Sequence, residues 1–310
     1  EVEDLDWDAY RAVVCYRCSR EDVVCKVVEQ AKKTGLNVYY DIDDLIFDYE
    51  RISYLHFLTG SEYKDFKKTT EQIHSCMELC DGYFTSTDTL AGEIRREFPG
   101  KPVVINRNCA SMEMQILSHD AVEQVEKDPE HISIGYFSGS KTHDQDFEVA
   151  EEAILEVMKE HPEVRLKLVG VLSDRKMEKF GNKVEKLPFM DWKQLPSVMA
   201  GIDINLMPLE NSLFHWCKSE NKWTEAALVK VPSVMSRNCE MEYVVENGKD
   251  GWMCTTKEEW VNALEALVTD EKARKAMGEA AHQKVMEHYL TVNTGKDAME
   301  ELLCSESYTK

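Results

Sequence analysis

The chain has 310 residues, a length that calls for two domains of about 150 residues each. Its net charge of −21, from 58 acidic and 37 basic side chains, excludes a nucleic-acid backbone as partner and means that any phosphate must be held by a local basic and backbone-amide site. No apolar run approaches the roughly 20 residues of a membrane span, no secretory leader is visible, and the ten cysteines lack the spacing of a secreted scaffold, so reduced thiols and a cytoplasmic location are expected.

The chain opens on Glu1 in an acidic segment, which suggests a piece of something longer. Ala12–Cys15 is a short apolar run read as a buried strand, and Ser19 with Asp22 resembles a capping-box start. Val24, Val27, Val28 and Ala31 keep helical spacing up to the stop at Gly35. Asn37–Tyr40 is the next strand and ends in Asp41-Ile42-Asp43-Asp44. A long polar helix is expected over Tyr63–Cys80, with strands at Gly82–Thr85 and Pro102–Ile105 and, between them, a helix bearing Leu90, Ile94 and Phe98. The polar stretch 117–131 reads as a linker, giving a first domain at 1–125, a second at 126–290 and a tail or helix at 291–310.

The strand–helix alternation then restarts. Ile132–Phe137 leads into the turn Ser138-Gly139-Ser140-Lys141 and a helix with Phe147, Ala150, Ile154 and Val157. Further strands are expected at Arg165–Val171, Val184–Leu187, Ile202–Met207 and Pro232–Ser236, and helices at Leu195–Met199, Lys257–Thr269 and Glu271–Tyr289. Such alternation implies parallel sheets with crossover helices, and ligands of open α/β sheets bind beyond the carboxyl ends of the strands.

The stretch Cys217–Pro232 gathers Lys218, Ser219, Glu220 and Glu225 before and within a helical run. A loop feeding a helix start presents backbone N–H groups, the positive end of the helix dipole and a lysine to a phosphate, and a glutamate further along can accept hydrogen bonds from sugar hydroxyls. The spacing of Lys218 and Glu225 would let them share one helix side. The Gly139 turn, between a strand and a helix, lets a phosphate approach the backbone, with His143 beside it. Asp41, Asp43 and Asp44 at a strand end suit a general base, a hydroxyl-binding acid, a metal site or a helix cap. Arg17, after another strand end, is an anion contact. Cys15-Tyr16-Arg17-Cys18 has C-x-x-C spacing without a second pair at zinc-like spacing.

These residues resemble the GT-B glycosyltransferases, specifically family 4, the group 1 glycosyltransferases. The resemblance runs in order through Ile134-Gly135-Tyr136-Phe137-Ser138-Gly139-Ser140 with His143-Asp144, Leu168-Val169-Gly170, Asp203 to Leu209, Lys218 to Ala227, Val231-Pro232-Ser233-Val234 and Glu246 to Gly251. The first domain is similar more weakly, through Tyr40 to Asp44 and Thr85-Ser86-Thr87, in the manner of bacterial enzymes that build surface polysaccharides. The implied fold is α/β, two Rossmann-like domains facing a cleft, the N-terminal one reduced because the glycine-rich loop after its first strand is absent.

The implied activity is transfer of a sugar from a nucleotide diphosphate sugar to a glycan or lipid-linked acceptor, with retention and without a metal or other cofactor, a UDP-sugar being the default donor. Lys218, Glu220 and Asp41 are then the catalytic candidates. Gly139, Ser140, Lys141, Lys218, Ser219 and Glu225 would bind the donor, and Arg17, Asp41, Asp43, Asp44 and His143 would lie on the acceptor side. The expected partners are the nucleotide-sugar, the acceptor, further domains of a longer chain and a peripheral assembly at the inner membrane face. One departure stands out: the family's glutamate eight positions before Glu225 is replaced by Cys217. That favours, as the alternative, a non-catalytic GT-B module binding a glycan or a partner protein. A sugar-nucleotide epimerase of the same fold is a third reading.

Overall fold

The computed structural model describes residues 2–52, 60–139, 144–170, 172 and 175–294. They fall into two compact units. The first comprises residues up to Asn108 together with Ser212–Ser219, and the second comprises Cys109–Asn211 and the chain from Glu220 to Thr294.

The first unit runs β1 (Ala12–Tyr16), α1 (Asp22–Lys33), β2 (Asn37–Ile42), α2 (Tyr49–Ile52), α3 (Gly60–Glu78), β3 (Gly82–Thr85), α4 (Asp88–Glu97) and β4 (Val103–Ile105). Its four strands are all parallel, in the order β1-β2-β3-β4. Consecutive order with right-handed crossovers places the connecting helices on one face. The strands' alternation follows suit. Cys15, Val38, Tyr40, Ile42 and Tyr83 pack with Ile73 and Met77 of α3 and with Leu90 and Ile94 of α4, whereas Tyr39, Phe84 and Val104 form a small separate cluster. Helix α4 begins at the N-cap Thr87, whose hydroxyl accepts from the Leu90 N–H.

The second unit begins with α5 (Met112–Gln124), then β5 (Ile132–Ser138), α6 (Asp144–Glu160), β6 (Val164–Gly170), β7 (Val184–Leu187), α7 (Leu195–Ala200) and β8 (Ile204–Met207). After α8 (Leu213–Trp216), which belongs to the first unit, it continues with α9 (Asn221–Leu228), β9 (Ser233–Ser236), α10 (Cys239–Val244), β10 (Trp252–Cys254), α11 (Lys257–Thr269) and α12 (Glu271–His288). The six-stranded parallel sheet has the order β10-β9-β8-β5-β6-β7. The chain therefore winds outward from β5 in one direction and from β8 in the other, and the reversal between them is the position where doubly wound sheets bind ligands. One face carries Ile134, Tyr136, Leu166, Leu206 and Val234 against Phe147, Ile154 and Leu264. The other carries Phe137, Val169 and Val231 against Ala121, Met199 and Ala226.

Two glycines are sterically required. Gly170, at φ +97°, pairs with Ser138, and a Cβ there would lie 1.9 Å from the Ser138 carbonyl oxygen. A Cβ on Gly278 would lie 2.1 Å from the Lys230 carbonyl oxygen, so α12 reaches the turn after α9 only without a side chain. Among the described residues no helix is long and apolar enough to cross a membrane.

Several sequence expectations need correction. The linker read over 117–131 is helical in its first half. Ser111 caps α5, and Ala121 packs into the second unit's core, so the division falls after Asn108 rather than after residue 125. Its polar composition is that of a helix with one buried edge. The Ser19 start is replaced by Glu21 at the N-cap of α1, with no side-chain cap bond. Strand β10 and helix α10 went unread, being short and, for β10, bounded by no alternation. The tail from residue 295 lies outside the described residues.

Candidate functional site

A cavity of about 460 Å³ opens in the second unit beyond the carboxyl ends of β5 and β6. Phe137, Ser138 and Gly139 form its floor, Val169 comes from β6, and Phe189, Met190, Asp191, Trp192 and Leu195 form the wall after β7. Helix α9 supplies Asn221, Lys222 and Glu225. The volume suits a small organic ligand, and the lining is apolar with a few polar groups, as in cofactor and substrate pockets. Phe189 and Trp192 are 66% and 41% exposed, so two large aromatic faces stand at the rim.

Helix α9 is fixed from its other side. Trp223 is fully buried and donates its indole N–H to the Asp250 carbonyl oxygen at 2.9 Å, and Asn205 donates to the Lys222 carbonyl oxygen at 3.3 Å. With Trp223 locked, the three-residue spacing brings Lys222 and Glu225 to the cavity side together. Burial pushes the half-buried Glu225 carboxyl up to about 7, opposed by the charge of Lys222. The Lys222 ammonium sits 5.3 Å from the ring centroid of the fully buried Tyr136.

A second constellation lies in the first unit. Arg17 follows β1 with a left-handed φ of 46°, and its backbone N–H donates to the Asp41 carbonyl oxygen at 3.1 Å. Its guanidinium then spans two carboxylates, Nε to Asp43 and Nη2 to Asp44. Lys218 joins from the returning segment, with Nζ 3.5 Å from Asp44 Oδ1 and 4.5 Å from the Phe214 ring centroid. The Asp41 carboxyl is pushed up to about 6 by burial and by Asp43, with Arg17 opposing.

The stretch Cys217–Pro232 thus divides. Cys217, Lys218 and Ser219 belong to the first unit: the Cys217 carbonyl accepts from Thr87 Oγ1 at 3.1 Å, and Ser219 Oγ accepts from Asn108 Nδ2 at 2.8 Å. Glu220, at the N-cap of α9 and fully buried, and Glu225 belong to the second. Lys218 and Glu225 therefore do not share a helix side, because α9 starts only at Asn221. The Cys217 side chain is fully buried in the first unit's core, a place that suits a thiol and would penalise a carboxylate. Cys15, Cys76 and Cys80 are buried in the same core. Ser140, Lys141 and His143 lie outside the described residues.

Sequence reading missed Phe189, Trp192, Asp191 and Lys222. The first three sit in an irregular loop, and their only signal was Phe-Met-Asp-Trp between a short strand and a short helix, a cluster of large apolar residues where polar turn residues are usual. Lys222 was legible as a cation one helical turn before Glu225.

Residues 132–270 match the family described as "Glycosyl transferases group 1", a span running from the first residue of β5 to the end of α11. The match to the group 1 glycosyltransferases thus covers most of the second unit. Several solved structures are similar in fold. The Anabaena protein Alr3699/HepE, determined with UDP and glucose, is 14% identical with a TM-score of 0.65, covering 97% of this chain and 80% of that one. WaaG, a glycosyltransferase involved in lipopolysaccharide biosynthesis, is 15% identical with a TM-score of 0.62, covering 88% and 80%. Sucrose-phosphate synthase from Thermosynechococcus elongatus is 13% identical with a TM-score of 0.62, covering 97% and 74%. A search of curated protein sequences returns no match. Both the cavity and the raised carboxyl of Glu225 fall within the matched span.

Proposed function

We propose that this glycosyltransferase moves a sugar from a nucleotide diphosphate sugar to a glycan or lipid-linked acceptor, and that the cavity of the second unit takes the nucleoside of the donor. The observation that carries the reading is the pairing, in one cavity at the strand-order reversal, of a hydroxyl-binding carboxylate, Glu225, with an exposed aromatic rim, Trp192 and Phe189. A carboxylate binds the vicinal hydroxyls of a ribose, and a base stacks on an aromatic face. The UDP and UDP-glucose complexes of HepE support uracil as the default base.

In this reading the Gly139 turn, with Ser140 and Lys141, faces the diphosphate, and Lys218 is its cationic partner. Stabilising the leaving diphosphate by lysine and backbone amides would let the reaction run with retention and without a metal. Glu220 and Ser219 are assigned to the neighbourhood of the transferred sugar. Asp41, Asp43, Asp44, Arg17 and His143 are assigned to the acceptor side, where Asp41, with its raised pKa, is the candidate base. Calorimetry with UDP, GDP and dTDP tests the donor assignment. Binding of one of them that weakens in Lys218→Ala supports it, and no binding by any of the three sinks it. Transfer or hydrolysis surviving excess EDTA supports the metal-free step.

One observation favours a second reading, a non-catalytic module of the same fold: the fully buried Cys217 stands where the family resemblance expects a glutamate. Measurable hydrolysis of a UDP-sugar by the purified chain counts against that reading.

A further inference from the structure

The C-x-x-C pair of Cys15 and Cys18 gains a second pair through the fold, one that sequence spacing does not reveal. Cys76 lies in the last turn of α3, and Cys80 two residues beyond its end. Four of the chain's ten cysteines thus meet in the core of the first unit. Thiol–thiol contacts join Cys15 to Cys76, Cys80 and Cys18, and Cys76 to Cys80. The backbone around them is fixed by other groups. Arg17, with its left-handed φ, turns the chain between Cys15 and Cys18. Tyr40 Oη donates to the Cys18 carbonyl oxygen at 2.7 Å, and the Arg20 N–H donates to the Gln72 carbonyl oxygen at 3.1 Å. The turn after β1 is therefore held against the helix that carries the other two thiols. Cys15, Cys76 and Cys80 are buried and Cys18 is half-buried, which leaves one side by which an ion can enter. A single buried thiol serves a core as a small hydrophobe. Four thiols in contact, spaced C-x-x-C and C-x-x-x-C, are instead the donor set of a structural metal site.

We infer that Cys15, Cys18, Cys76 and Cys80 form a structural site for one thiophilic metal ion, zinc, in the first unit. Each thiol loses its proton to solvent and its sulfur forms one bond to the ion. Zinc(II) and four S–H groups thus become a tetrathiolate complex with two net negative charges, and four protons are released. Because the sulfurs are already in contact, ligation asks for side-chain rotation rather than a new backbone path. Lys101 lies beside the site. Its ammonium donates to the Cys80 and Glu78 carbonyl oxygens at 2.7 and 2.9 Å, and so supplies part of the positive charge that a buried dianion needs. Soft sulfur donors select zinc over magnesium or calcium, and a closed set of four leaves no open position for substrate. The ion would therefore tie the turn that carries Arg17 to α3 and take no part in transfer. The donor cavity belongs to the second unit, and the zinc site stands whatever that cavity binds.

The full chain, purified under reducing conditions without an affinity tag, is assayed for metal and then exchanged with cobalt(II). About one zinc per chain is expected. The cobalt form is expected to show the near-ultraviolet sulfur-to-cobalt charge-transfer band and the visible bands of a tetrahedral ion. Cys76→Ser and Cys18→Ser each weaken the charge-transfer band and lower zinc affinity by at least about tenfold, the lower bound set by the loss of an outer partner of a metal ligand. Cys239→Ser, which alters an exposed thiol of the second unit, changes neither. Should Cys76→Ser fail to fold, Cys18→Ser, at the half-buried position, decides alone. Stripping the zinc with a chelator lowers the wild-type melting temperature, and adding it back restores it. A folded, reduced wild type that takes up neither zinc nor cobalt overturns the inference. So does a charge-transfer band that Cys18→Ser retains in full, which would place the ion elsewhere, and so does iron with the spectrum of an iron–sulfur cluster in place of zinc.

Discussion

The two units each hold a carboxyl raised towards neutrality, but they raise it in different settings. Asp41 lies at the end of β2 beside a closed set of ion pairs, in which Arg17 satisfies Asp43 and Asp44, and Lys218 adds a second cation. Glu225 lies beside one cation and an open cavity of about 460 Å³. Charges in the first setting are spent largely on one another. In the second, the carboxylate lines a space large enough for a ligand. The contrast separates a constellation whose charges face one another before any ligand binds from a carboxylate that lines an open cavity.

The returning segment Ser212–Ser219 sharpens this contrast most. Replacing Cys217 with the family's glutamate puts a carboxylate into a fully buried position in the first unit's core. Cys217→Glu is expected to destabilise the first unit by more than about 3 kcal/mol, read as a lowered urea midpoint, whereas Cys217→Ala costs about 1–2 kcal/mol. A Cys217→Glu protein of wild-type stability would show that the position can open, and would bring the first unit's core into question.

Much of this was legible in the sequence, and the reasons for what was not are physical. The apolar runs Ile132–Phe137, Ile202–Met207 and Pro232–Ser236 gave their strands because a doubly covered parallel sheet leaves no polar face to confuse the pattern. Helix α11 has the bounds expected from the sequence, and in the structure Thr256 and Glu259 form a full capping box at its start. By contrast, α5 shows one buried edge and an otherwise polar surface, which sequence patterning cannot tell from a linker. Glu225 was singled out by its place in the Lys218 to Ala227 stretch and by the family resemblance, whereas its spacing from Lys218 predicted a shared helix side that the fold does not give. The aromatic rim was not singled out, because Phe189 and Trp192 come from a loop whose path is set by tertiary contacts. That Lys218 packs with Asp44 while Glu225 faces the cavity depends on where the chain crosses between units, at Ser219 and Glu220, and no local pattern marks that point.

The next largest effect concerns the cavity. Glu225→Gln is expected to weaken UDP about 10–100-fold, the value of a charge-assisted hydrogen-bond pair, and Trp192→Ala to weaken it by a similar or smaller factor if a base stacks there. Asp41→Asn should act chiefly on acceptor-dependent transfer, with a smaller change in UDP affinity. Equal losses of UDP affinity in Asp41→Asn and Glu225→Gln would erase the distinction drawn between the two settings.

Stability against pH gives a comparison that needs no ligand. Both carboxyls have folded-state pKa values above their unfolded ones, so the folded state holds the proton more tightly. Each therefore contributes stability at acidic pH that is lost as pH rises from the unfolded value through the folded one. For Glu225 the window runs from 4.5 to about 7, and for Asp41 from 3.8 to about 6. Glu225→Gln is accordingly expected to stabilise the fold relative to wild type at pH 8 by about 1–3 kcal/mol, read as a raised urea midpoint, with a smaller difference at pH 4. Asp41→Asn behaves in the same sense within its lower window. A stabilisation that is greater at pH 4 than at pH 8 would contradict the assigned shifts.

The smallest effect is expected for Arg17→Ala. It leaves Asp43 and Asp44 without their shared guanidinium, but the pair is about a third exposed, so the loss should be about 1 kcal/mol and should shrink in high salt.

The central claim is that the cavity of the second unit holds the nucleoside of a sugar donor, and calorimetric titration of UDP into wild type and Glu225→Gln at pH 8 tests it most directly. The account predicts saturable one-site binding to wild type and a loss of at least tenfold in the variant. Equal UDP affinity in the two proteins, or no binding of UDP, GDP or dTDP by a folded wild type, would contradict it.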